Sequence, residues 1–151
     1  MCSHIHRMEV NAPIPIVWKV VSSIDRWAPL VPGYIEHEIL NERESIWKFK
    51  SEHGMMKKVI QLKVMITNWV EPNKVTFDLK SKNEKLHGNG YFEAIQISNN
   101  KTSMAGFIEL IACGTWAKVV NPLLKTNIPI MIEELTKSVG HEIESLERNL
   151  Y

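Results

Sequence analysis

The stretch IPIMIEELTKSVGHEIESLERNL, residues 128–150, decides the architecture. Ile128, Ile132, Leu135, Val139, Ile143, Leu146 and Leu150 recur every three or four residues, opposite Glu134, Lys137, Glu144 and Glu147. That pattern predicts an amphipathic helix with one face committed to a core. At 1.5 Å per residue it forms a rod of about 34 Å, long enough to cross a whole sheet. Gly140 costs about 1 kcal/mol relative to alanine in a helix, so its place midway implies a close contact or a bend. Just upstream, residues 116–124 are apolar. Pro122 is expected to interrupt them, and Pro129 to separate them from the long helix.

Working back towards the amino end, residues 34–112 switch to a period near two, broken by turn chemistry. Six strands fit: 34–40, 45–51, 56–70, 75–79, 86–97 and 102–112. In the third, Ile60, Leu62, Val64 and Ile66 alternate with Gln61, Lys63, Met65 and Thr67, as a strand with one buried face requires. Trp47 and Phe49 share a face in the second. The connections 41–44, 71–74, 81–85 and 98–101 are polar, so an antiparallel meander follows. Before it, residues 4–10 read as one more strand. Asn11-Ala12-Pro13 then starts a helix with Asn11 as its expected cap, and Ile14, Val17, Trp18 and Val21 form the apolar face. Asp25 is expected to cap a second short helix that carries Trp27 and ends at Pro29, Pro32 and Gly33.

This order gives an α+β fold: a curved seven-stranded antiparallel sheet, two short helices, and a long C-terminal helix that covers the apolar sheet face. A twisted sheet of that size curls, and a straight rod laid across its concave side touches the rim more closely than the centre. An apolar cavity beneath the helix is the geometric consequence.

Composition sets bounds on function. With 151 residues, 44% apolar and 23% charged, the chain has the makeup of one globular domain spanning residues 1–151. A net charge of +1 with scattered lysines and arginines argues against nucleic acid as a partner. Cys2 and Cys113 are too far apart in sequence to suggest a disulfide framework or a zinc cluster. No basic and apolar leader, and no run of 18 apolar residues, is visible, so a cytoplasmic protein is expected.

The element order, with Asn11-Ala12-Pro13, Val31-Pro32-Gly33, Trp69-Val70-Glu71-Pro72 and Gly88-Asn89-Gly90, resembles the START-related helix-grip (SRPBCC) superfamily. Within it, the chain is similar to CO dehydrogenase G-like and polyketide cyclase-like proteins. The resemblance runs from about His4 to Leu146 and implies the helix-grip fold. It further implies binding of a lipid, quinone, polyketide or other hydrophobic molecule between helix and sheet; a minority of members catalyse cyclisation or dehydration there.

Large apolar residues expected to face the helix are Trp47, Phe49, Phe77, Phe92, Met104 and Ile108 on the sheet, and Met131 and Leu135 on the helix. They either line a ligand pocket or pack on one another. Trp116, Val119, Val120, Leu123 and Leu124 make an unusually apolar connection. It is either the cavity mouth, a place for a peripheral membrane or a protein partner, or a helix packed down on the core. Lys118 and Lys125 are the nearby cations. Small residues at Gly88, Gly90, Ala94 and Gly106 permit a bulge or a close approach of helix or ligand.

No histidines are spaced as a metal-binding pair, no nucleophile elbow is present, and Cys113 has no activating neighbour in sequence. Neither a metal, a cofactor nor a catalytic residue is therefore assigned. Binding of a small hydrophobic ligand is the leading expectation. A cyclase or dehydratase using His53, His87, Glu52 or Glu109 is the alternative, and an accessory protein that docks on a larger enzyme complex is a third.

Overall fold

The computed structural model describes residues 2–50 and 59–149. The elements are β1 (Cys2–Val10), α1 (Ile14–Val21), α2 (Ile24–Trp27), a 3-10 turn (Ala28–Leu30), β2 (Tyr34–Ile39), β3 (Glu44–Lys50), β4 (Val59–Val70), β5 (Lys74–Ser81), β6 (Leu86–Ser98), β7 (Lys101–Ala112) and α3 (Ala117–Arg148). The strands form one antiparallel sheet in the order β1-β7-β6-β5-β4-β3-β2. The six-strand meander is as the sequence periodicity predicts; β1 joins its far side by pairing Cys2 with Leu110 and Val10 with Thr102. Residues 56–58 of the expected long strand, the hairpin residues Glu52 and His53, and Leu150 lie outside the described residues.

Alternation builds the sheet's buried face. Leu62, Val64 and Ile66 of β4 are buried while Gln61, Met65 and Thr67 are exposed. A register shift between Ile66 and Asn68 bends this long strand, as a bulge does by increasing local twist.

Three local expectations are corrected. The cap of α1 is Pro13, not Asn11, whose N–H donates instead to the Glu144 carboxylate at 2.8 Å. The cap of α2 is Ser23; Asp25 lies inside that helix, and its carboxylate contacts His37. Pro122 and Pro129 break nothing: α3 is one helix of 32 residues with both prolines inside it. Each proline removes one helical N–H, but tertiary contacts outweigh the loss. Ile128 and Ile132 are buried. The Asn121 amide clamps the end of β7, donating to the Ala112 carbonyl at 3.0 Å and accepting from the Ala112 N–H at 2.8 Å.

The helix also does not cross the sheet. It packs on β1 and β7 and against α1, running antiparallel to β7, with Asn121 beside Ala112 and Thr136 beside Gly106. Two glycines allow this seam. A Cβ on Gly106 would collide with Thr136 Oγ1 and lie 3.3 Å from the Phe92 ring, and one on Gly140 would lie 2.6 Å from Met8 Cε. The cost of Gly140 in a helix is thus explained by close contact with β1.

Thr136 Oγ1 is buried and has no hydrogen-bond partner among the described residues. Gly106→Ala should therefore destabilise the protein by about 1–3 kcal/mol through overpacking. Thr136→Ala should be near neutral, because it removes an unsatisfied buried hydroxyl, and the double variant should recover most of the loss. Urea denaturation of all four proteins measures the coupling; strictly additive effects would contradict the seam.

On the surface, Lys63 Nζ lies 2.5 Å from Glu44 Oε2. Hydrogen bonding to Lys63 and then to Asn41 holds the Glu44 carboxyl below the usual carboxylate range. A carboxyl depressed in the folded state stabilises the fold above its unfolded pKa, and that contribution disappears as pH falls through the folded value. Lys63→Met should raise the Glu44 pKa, read by NMR titration of its side-chain carboxyl, and weaken the pH dependence of stability on the acid side.

Candidate functional site

Because α3 sits along β1 and β7, the concave face of β3 to β6 is not filled from above. A cavity of about 860 Å³ remains between the sheet, α2 and α3, within the range of small-molecule sites. Trp47 and Phe49 on β3, Phe77 on β5, Phe92 on β6 and Ile108 on β7 line it from the sheet, and Trp116, Leu124, Met131 and Leu135 line it from the helical side. Nine of the ten residues singled out from the sequence are thereby brought together. Met104 is not among them: its side chain is fully buried in the core.

Of the lining residues that sequence reasoning missed, Trp27 makes the most ring contacts. Its ring centroid is 5.0 Å from Trp47 and 5.0 Å from Phe92, both edge-on, and 5.4 Å from Phe77. Such geometry contributes beyond area burial alone. Trp27 Nε1 is buried without a hydrogen-bond partner among the described residues. A helix of four residues has no periodicity to show which way its side chains face; the clustering of Trp27 with Pro29 and Pro32 was the only signal.

Polar groups border the cavity sparsely. Lys50, Lys85 and Glu134 are its charged residues among those described, joined by Ser81, Asn83, Asn127 and Cys113. Trp116, 67% exposed, caps α3 at the opening.

Two side-chain constellations stand nearby. The His37 ring is bonded on both nitrogens, by Tyr34 Oη at Nδ1 and by the Asp25 carboxylate at Nε2, each at 2.6 Å; it ties α2 to β2. Cys113 Sγ is 3.3 Å from His87 Nε2, both residues being exposed, so the fold supplies the cysteine with a neighbour that sequence distance hid. Of the candidate proton-transfer groups, His87 and Glu109 do not line the cavity, and Glu109 accepts from the Asn89 amide at 3.2 Å. Glu52 and His53 lie outside the described residues. Among the described residues, no three His, Cys, Asp or Glu side chains cluster as metal ligands, and no helix is long and apolar enough to cross a membrane.

A protein-family sequence model matches residues 1–150. No curated protein matches the chain by sequence. Solved structures do match by fold. A conserved protein from Geobacillus kaustophilus is 13% identical, with 95% of each chain covered and a TM-score of 0.80. A START superfamily protein from Mycobacterium smegmatis is 13% identical, covering 95% of this chain and 98% of that one, with a TM-score of 0.77. A Streptomyces aromatase/cyclase is 11% identical, covering 97% and 93%, with a TM-score of 0.66.

Proposed function

We propose, from the premise that this chain belongs to the START-related helix-grip superfamily, that it binds a small lipid-, quinone- or polyketide-like molecule in the cavity and shields it from water. The observation that carries this reading is the cavity itself: about 860 Å³ of open volume walled by aromatic and aliphatic side chains. Protein interiors are otherwise close-packed, with few voids larger than a water molecule. Burying about 300 Å² of apolar ligand surface would contribute roughly 7 kcal/mol before the costs of association.

Catalysis of the cyclase type has less support. It needs close titratable groups facing the ligand; of its four candidates, His87 and Glu109 are not in the lining, and Glu52 and His53 lie outside the described residues. The exposed Trp116 and Val119 beside the opening favour a peripheral membrane or protein contact through which ligand enters or leaves. The two free cysteines fit a reducing, cytoplasmic setting.

Native mass spectrometry of protein purified without detergent tests the proposal. A retained hydrophobic molecule is the expected result, with retention reduced in Trp116→Ala and Phe92→Ala. Phe92 is buried, and its truncation should also cost about 3–5 kcal/mol of stability, whereas Trp116 is exposed and its loss should leave stability nearly unchanged. Unaltered retention in both variants would remove this cavity as the site.

A further inference from the structure

Selectivity in an apolar cavity is set by the few polar groups at its border, and here they are placed unevenly. Lys50 ends β3 and Lys85 closes the turn between β5 and β6; both line the cavity. Antiparallel pairing brings them to one end of the sheet. Lys50 is opposite Val59 at the start of β4, and Leu62 a little farther on is opposite Ser81 at the end of β5.

The Lys85 carbonyl accepts from the Cys113 N–H at 2.6 Å, so this same end adjoins the segment leading into α3. The amino end of that helix carries no acidic residue in its first turn and adds the positive pole of the helix dipole. Neither Lys50 nor Lys85 is in an ion pair among the described residues. The acid that also borders the cavity, Glu134, lies about 27 Å farther along the α3 axis than Trp116 at 1.5 Å per residue.

We propose that the cavity takes a single-chain amphiphile with an anionic head group. Its apolar body lies against Trp27, Phe77 and Phe92, and its carboxylate or phosphate stands at the opening near Lys50 and Lys85. This rests on the binding reading above and narrows it. Lysine suits such a place, since its flexible stem packs against the ligand's apolar body while its ammonium stays hydrated beside the head group. The attraction is between partly hydrated charges, so it is sensitive to salt.

Displacement of the neutral fluorophore N-phenyl-1-naphthylamine by dodecanoate, dodecyl phosphate and dodecanol, each below its aggregation concentration, isolates the head group at constant tail. At low salt at least one anion should displace the fluorophore at about tenfold lower concentration than the alcohol. Which anion does so separates a carboxylate ligand from a phosphate one. The Lys50→Met/Lys85→Met double variant should lose the preference, read as the ratio of the displacing concentrations of dodecanol and of the anion within the same protein. Equal displacement by all three with the fluorophore held, or a preference that survives in the double variant, overturns the head-group assignment and leaves the binding reading standing. Failure to hold the fluorophore or any of the three ligands removes both.

Discussion

The contact on which the rest of the structure depends is the backbone-close seam between α3 and the β1–β7 edge. Gly106 admits Thr136, and Gly140 admits Met8 and Val10. With larger residues at these points the helix axis would have to stand farther off, and Ile132, Val139 and Ile143, now fully or almost fully buried, would lose their contacts. The seam also decides where the helix is not. A rod fixed along β7 cannot lie over β4 and β5, and a twisted sheet curls away from it. The hollow is thus a by-product of tight packing at one side, not of loose packing throughout.

What bounds the hollow on the remaining side is an aromatic cluster. Trp27 projects from a single helical turn into the concave face and meets Trp47, Phe77 and Phe92 from three different strands. Large rigid rings hold a cavity open better than flexible side chains, because they have few rotamers with which to collapse into it. The His37 bridge between Asp25 and Tyr34 fixes α2, and with it Trp27, against the sheet.

Most of the architecture was readable from the residues because it depends on periodicity. The alternation in β4 and the apolar stripe from Ile128 to Ile143 each specify an element and its buried face without reference to anything distant. The failures came where tertiary contacts override local rules. Pro122 and Pro129 are helix breakers in isolation, yet the Asn121 clamp on Ala112 and the burial of Ile128 and Ile132 carry the helix past them. Asn11 has a good capping side chain, but the cap falls two residues later, at Pro13, and the Asn11 backbone N–H donates to Glu144. At the site, the sheet residues could be selected by face, whereas Trp27 sits on a one-turn helix, and Lys50, Lys85, His87 and Cys113 lie at strand ends or in the connections beside them. Met104 was selected by the same face rule, which cannot tell how far along a strand the covering helix begins to diverge.

The position of the charges follows from the same geometry. A meander must turn at both ends, and turns carry polar residues because their backbone groups need water. Any cavity that opens at one end of the sheet is therefore bordered by turn residues whatever its function. What is not required by the fold is their sign. Among the described lining residues at this opening the charged ones are both cations, Lys50 and Lys85. An uncharged ligand gains only stem contacts and neutral hydrogen bonds from them, and a cationic one is repelled, so the asymmetry most favours a molecule that presents negative charge at the opening while its body lies among the rings.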